Sequence, residues 1–165
     1  MLSAWRRRPA PRPTPCTPPG FEGAGFRIAY SFSLAYTLAV VWRVEVTDEF
    51  ANWARALRKL DRESSRQVGA AVELLKQHGP SLKRPLVGEI TASKIKNLKE
   101  LRPGSTGRSE IRILFVFDPW QQIVLLLAGD KAGDWRGWYR KAIPRAEQLY
   151  AEHVEAMSSD GEGAR

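Results

Sequence analysis

The sequence predicts an α+β domain in which a two-helix hairpin and a C-terminal helix pack around a twisted, mainly antiparallel sheet of about four strands. Three observations predict it. Residues 94–131 read KIKNLKELRPGSTGRSEIRILFVFDPWQQIVLLLAGDK, three strand-like runs joined by two turns. Ahead of this stretch, apolar residues recur at helical spacing in two segments, and behind it comes a last helical segment. A short alternating run before the first helix adds an N-terminal strand.

In chain order, residues 1–40 look unlike the remainder. Met1–Gly25 is loaded with Pro, Arg, Gly and Thr, a composition that buries too little apolar surface to offset chain entropy. The segment is expected to be a disordered or poorly structured extension. Ile28–Trp42 is a mostly apolar run behind basic residues, superficially like a signal peptide, but it is short for a membrane span and lacks a small-x-small cleavage site. A native start near Val40 or Val41 is the alternative reading. The folded domain is expected over residues 41–157, followed by a polar tail, residues 158–165.

Val41–Thr47 alternates as a short strand does, and Thr47-Asp48-Glu49 then supplies an N-cap and two acids for a first helical turn. Phe50, Trp53, Ala54, Leu57 and Leu60 form one helix's apolar stripe, which assigns Trp53 to the core. Asp61 caps a second helix with Val68, Ala71, Val72, Leu74 and Leu75 on its buried face, stopped by His78-Gly79-Pro80. Pro80–Ser93 reads as a loop whose Lys83-Arg84-Pro85 is basic.

Ile95–Arg102 reads as a strand ending in the turn dipeptide Pro103-Gly104. In Arg108–Asp118, Ile111, Ile113, Phe115 and Phe117 share one face, and Glu110, Arg112, Leu114 and Val116 share the other. Ile123–Ala128 is apolar throughout, as a strand covered on both sides should be, and Asp118–Gln121 turns between the two. After the turn Gly129–Gly133, a helix is expected over Asp134–Met157, with Pro144 kinking or dividing it.

The formal net charge is +8, which favours an anionic partner such as nucleic acid or an acidic protein. Cys16 is the only cysteine, excluding an internal disulfide and any multi-thiolate metal site and suiting a reducing cytosol. His78 and His153, the two histidines, fall near expected helix ends, in solvated or carbonyl-capping positions. No Walker glycine loop, Gly-x-Ser-x-Gly elbow, His-Glu-x-x-His or spaced Cys/His set is present, so no metal or cofactor is expected. What remains is a basic set in or beside the strands: Lys96, Lys99, Arg102, Arg112 and Lys131, with Arg136, Tyr139 and Arg140 on the last helix. Arg112 faces away from the Phe115 stripe, on a face expected to be free for a ligand.

The element order, together with Asn97–Arg102, Ile111–Phe115, Gly129-Asp130-Lys131 and Trp138-Tyr139, resembles the RelE/HigB superfamily of type II toxins, in its phage-derived Gp49-like branch. The resemblance covers about Trp42 to His153. It implies a RelE-like fold and a ribosome-dependent, metal-independent endoribonuclease that cuts messenger RNA. It also implies a cytoplasmic protein held silent by a cognate antitoxin, a helix-turn-helix protein of HigA type, with ribosome and mRNA as its other partners and no membrane. Carried over by residue, Arg112 stands where the family's strand arginine contacts the scissile phosphate. Lys99 and Arg102 lie in the strand that supplies general-base or phosphate-binding residues, the division of roles among Lys96, Lys99 and Arg102 being open. Lys131 follows the last strand where relatives carry a basic residue, and Tyr139 matches a tyrosine that stacks on a base or assists proton transfer. Lys96, Arg108, Arg136 and Arg140 are expected to hold RNA.

Such a site needs neither histidine nor metal, because the RNA's own 2′-hydroxyl is the nucleophile and cations neutralise the phosphate. Two other readings compete: a ParE-like inhibitor of DNA gyrase on the same fold, which would not need the basic sheet edge as a catalytic set, and a non-catalytic nucleic-acid-binding or protein-binding module.

Overall fold

The computed structural model describes residues 41–162. The expected N-terminal extension lies outside them. A five-stranded mixed sheet carries three helices, in the order β1 (Arg43–Val46), α1 (Asp48–Leu60), α2 (Arg62–His78), β2 (Val87–Glu89), β3 (Leu98–Leu101), β4 (Ile111–Phe117), β5 (Gln122–Asp130) and α3 (Trp135–Glu162). The sheet runs β1-β5-β4-β3-β2, with β1 parallel to β5 and every other pair antiparallel. The expected α+β class is observed, with a strand inserted between the helix hairpin and the meander. The strand count of about four is corrected to five, because Pro80–Ser93, read as a loop, contributes β2. Three residues are too few to show alternation, yet β2 completes the sheet edge by pairing Gly88 with Glu100.

Thr47 makes the turn from β1 into α1. Its hydroxyl accepts from Phe50 N at 3.1 Å and donates to the Leu126 carbonyl, so one side chain caps the helix and fastens it to β5. Each sheet face then has its own core. Phe50, Val68, Ala71 and Leu75 of the hairpin pack on Ile111, Ile113, Phe115, Ile123 and Leu125, while Ala142, Ala146 and Leu149 of α3 pack on Leu114, Val116, Val124, Leu126 and Leu127. Phe115 is fully buried, and truncating such a ring costs about 3–5 kcal/mol. The expected stripe on β4 is correct. Its other face is not free, however: α3 covers Leu114 and Val116, leaving only the Arg112 end accessible. Trp53 packs against the first core, as expected.

Register changes once within the hairpin of β4 and β5. Leu114 pairs with Leu127 but Phe115 pairs with Leu125, so Leu126 is the extra residue of a bulge. Leu126 and Leu127 therefore both serve the α3 side, and beyond the bulge the α3-facing positions run Leu127, Gly129, Lys131. Without the bulge Lys131 would face the other way.

The final helix is continuous through Pro144, which leaves the Arg140 carbonyl without its usual intrahelical donor but does not divide the helix. His153 is not simply solvated: its Nε2 lies 3.5 Å from Oδ2 of the buried Asp118, whose other oxygen accepts from Trp120 N and Gln122 N. His78 is exposed. None of the described helices is long and apolar enough to cross a membrane.

Asp61 joins the helix hairpin to the loop between β3 and β4. Its carboxylate accepts from Ser64 N at 3.0 Å, Glu63 N at 3.1 Å, Ser64 Oγ at 2.6 Å and the Thr106 hydroxyl. The Ser64 hydroxyl first, then Thr106, hold its pKa down from 3.8 to about 2. A depressed carboxylate pKa gives stability that is present above the ordinary value and disappears as pH falls through the folded one. Asp61→Asn should therefore lower the thermal midpoint at pH 7 and flatten the loss of stability between about pH 4 and pH 2. An unchanged acid unfolding profile would contradict this role.

Candidate active site

Glu100 is the centre of the site, and it is a residue that sequence reasoning passed over. Alternation along β3 turns Leu98, Glu100 and Arg102 toward α3 and Lys99 and Leu101 toward the hairpin. The Glu100 side chain is only 3% exposed. A buried carboxylate is costly unless it is paired and hydrogen-bonded, and here three groups close on it. Arg102 donates through Nε at 2.7 Å and also through Nη2; the Tyr139 hydroxyl donates from the first turns of α3; Arg112 Nε stands 3.9 Å away across β4. Gly88 makes room for this clasp, since a Cβ there would lie 2.8 Å from both Glu100 Oε1 and Arg102 Nη2. The signal for Glu100 was present in the phase of β3, but a charged residue in Lys-Glu-Leu-Arg reads as solvent-facing.

The clasp forms part of a cavity of about 450 Å³ lined by Glu100, Arg102, Arg112, Lys131, Trp135 and Tyr139, among others. Arg112, whose side chain is 16% exposed, donates from Nη1 to the Ile111 carbonyl at 2.7 Å, and its buried Nε has no hydrogen-bond partner. Part of its donor capacity is therefore not consumed by the protein. Lys131 pairs with Glu110, and that hydrogen bond keeps the Glu110 carboxyl below the usual range. Asp130 fixes the turn that carries Lys131 by accepting from Glu110 N at 2.8 Å and Ala132 N at 2.9 Å. Gly129 gives Trp138 its place against the sheet: a Cβ there would meet Trp138 Nε1 at 2.4 Å. Burial first, then the Glu100 hydrogen bond, push the Tyr139 phenol up to about 12, so it keeps its proton well into the alkaline range.

Four of the expected site residues thus come together: Arg102, Arg112, Lys131 and Tyr139. Lys99 does not join them. It faces the hairpin side and pairs with Glu89 at 3.2 Å, because it is one residue out of phase with Glu100 and Arg102. Lys96 is exposed at a separate recess, and Arg108 is exposed in the loop between β3 and β4. Arg136 and Arg140 are exposed on α3, Arg136 lying 5.2 Å over the Trp135 ring. Trp135, 56% exposed at the cavity, is a second residue the sequence reading did not single out. Among the described residues no three His, Cys, Asp or Glu side chains gather as a metal-holding group.

Fold and cavity together define a class: a small α+β domain with a cleft in which Arg102, Arg112 and Lys131 gather beside a buried acid–phenol pair. The chain belongs to the phage-derived protein Gp49-like family (DUF891), which it matches over residues 55–151. Two Mycobacterium tuberculosis proteins named as candidate toxins are similar to it. HigB2 is 48% identical over 116 residues, 70% of this chain and 56% of that protein; HigB3 is 49% identical over 99 residues, 57% of this chain and 84% of that protein. The match thus spans about half the length of HigB2. The resemblance read from the sequence is borne out at the level of the family.

The clasp has a spectroscopic signature. Glu100→Gln keeps the shape but removes the charge, so the Tyr139 midpoint should fall part of the way from about 12 toward its ordinary value of 10.0, burial retaining the rest. In the parent, a raised phenol pKa means that the clasp's stability is intact below pH 10 and is lost as pH rises through about 12. Phenolate absorbance during an alkaline titration, with Tyr139→Phe as reference, reads both effects. An unmoved midpoint in Glu100→Gln would contradict the proposed contact.

Proposed function

We propose that this chain is the toxin of a type II toxin–antitoxin system and a metal-independent, ribosome-dependent endoribonuclease acting on messenger RNA. The observation that supports it best is the convergence of Arg102, Arg112 and Lys131 with the Glu100–Tyr139 pair in one cavity. The names of the two relatives support the toxin reading.

The chemistry follows from those groups. The 2′-oxygen attacks the adjacent phosphorus while the bond from phosphorus to the 5′-oxygen breaks, giving a 2′,3′-cyclic phosphate and a free 5′-hydroxyl. Arg112 and Lys131 neutralise the charge developing on the non-bridging oxygens, and Arg102 holds Glu100 in register. Glu100 takes the 2′-proton. Tyr139, a phenol that is protonated at neutral pH, gives its proton to the departing 5′-oxygen. The hydrogen bond between Tyr139 and Glu100 then returns the proton from the acid to the phenolate and resets the site. A ribosome that holds the message bent in line would supply the orientation that these groups do not. Trp135 offers a flat face at the cavity mouth for a neighbouring base. An antitoxin, of helix-turn-helix type as in the HigA class, would silence the protein by covering this cavity.

Arg112→Ala should slow cleavage of ribosome-bound message by about a hundredfold or more, the usual effect of removing one preorganised group that meets developing charge. Because Arg112 stands beside buried Glu100, its loss should also destabilise the fold by about 1 kcal/mol, more than an exposed strand position would. Arg112→Lys should recover part of the rate, since an ammonium keeps charge but loses the planar fork. Lys99→Ala should stay within about threefold of the parent, under 1 kcal/mol of barrier. Cleavage rates on purified ribosomes with end-group analysis of the products provide the check; full activity in folded Arg112→Ala, or products ending in a 3′-hydroxyl, would overturn the reading.

A further inference from the structure

The cavity's own cations are largely compensated. Arg102 is paired with Glu100, Lys131 with Glu110, and Lys99 beside the site with Glu89, while Arg112 stands 3.9 Å from each of Glu100 and Glu110. Such a site can act on a phosphate but attracts a polyanion weakly. Uncompensated charge is concentrated elsewhere, at the elbow between α1 and α2 on the opposite side of the sheet. There Arg55, Arg58, Lys59, Arg62, Ser65 and Arg66 line a groove of about 790 Å³. Arg66 is paired with Glu63 at 2.8 Å; Arg55, Arg58, Lys59 and Arg62 make no ion pair among the described residues.

Local structure does not account for all of this charge. Arg58 and Lys59 lie in the last turn of α1, where the helix dipole favours cations. Arg62 is the first residue of α2, where the dipole disfavours one. Among the described residues no apolar or aromatic side chain lines the groove, so it lacks the buried anchor around which stable protein interfaces are built. Four arginine forks and a lysine around a polar trough match a phosphate backbone.

We infer that this groove is a second phosphate-binding surface, which docks structured RNA and supplies affinity while the cavity on the other side of the sheet supplies chemistry. The inference rests on the RNA-directed reading of the cavity only for the identity of the polyanion. Groove and cavity are separable: groove variants lose binding, cavity variants lose rate.

The test uses the full chain carrying Arg112→Ala, so that a labelled RNA hairpin stays intact, and measures affinity by fluorescence anisotropy between about 50 and 200 mM KCl. Adding Arg58→Ala and Arg62→Ala should weaken binding by about tenfold or more and reduce the slope of log K against log salt by about 2, one for each lost phosphate contact. Arg62→Ala alone should weaken binding while leaving the thermal midpoint level or higher, a pairing of signs that simple loss of structure does not give. Removing equal charge elsewhere, with Arg43→Ala and Lys141→Ala, should change affinity by less than about twofold. Unchanged affinity and slope in the groove variant would overturn the inference, as would a groove variant that loses binding to poly-L-glutamate but not to RNA. Groove-dependent RNA binding by a parent chain that leaves ribosome-bound message uncut would support the groove and refute the endonuclease.

Discussion

A carboxylate buried in a sheet must be paired, and the placement of Glu100 constrains much of this molecule. Its partners come from its own strand, from the neighbouring strand and from the start of α3. The hydrogen bond from Tyr139 therefore fixes where the last helix begins its course over the sheet. Gly88 must lack a side chain, which accounts for a glycine in a strand of three residues. The same arrangement raises the pKa of a phenol and orients two guanidinium groups toward one cavity, so packing and candidate chemistry share their atoms.

Sheet register does the rest of the positioning. Arg112 reaches the cavity through the plain alternation of β4, but Lys131 reaches it only because the bulge at Leu126 changes the phase of β5. The second consequence of close pairing is electrostatic. Cations held by Glu100 and Glu110 are ordered at the expense of their reach, whereas those of the helix elbow, apart from Arg66, make no ion pair among the described residues and are the ones inferred to attract a polyanion.

Much of this was legible in the sequence, for identifiable reasons. The stripe Ile111, Ile113, Phe115, Phe117 and the run Ile123–Ala128 announce their strands, and Thr47 and Asp61 announce both helices of the hairpin, because alternation and capping are local. β2 was not legible, since Val87-Gly88-Glu89 is a strand only by virtue of its partner. Nor was the bulge, whose extra leucine sits in an unbroken apolar run. The errors at the site have another source, the phase of β3. With the phase of β3 unassigned, Lys99 looked equivalent to Arg102 although it faces the other side, and Glu100 was not singled out although it is the group the others surround. α3's cover over Leu114 and Val116 was likewise invisible on β4 alone.

In the proposed reaction Glu100 and Tyr139 act as one proton-handling unit. A double-mutant cycle on single-turnover cleavage of ribosome-bound message, with Glu100→Gln, Tyr139→Phe and both together, tests it most directly. Coupled residues predict a double variant no slower than the slower single one, within about threefold. Rate losses that multiply, each variant costing as much in the other's absence, would show two independent groups and contradict the account.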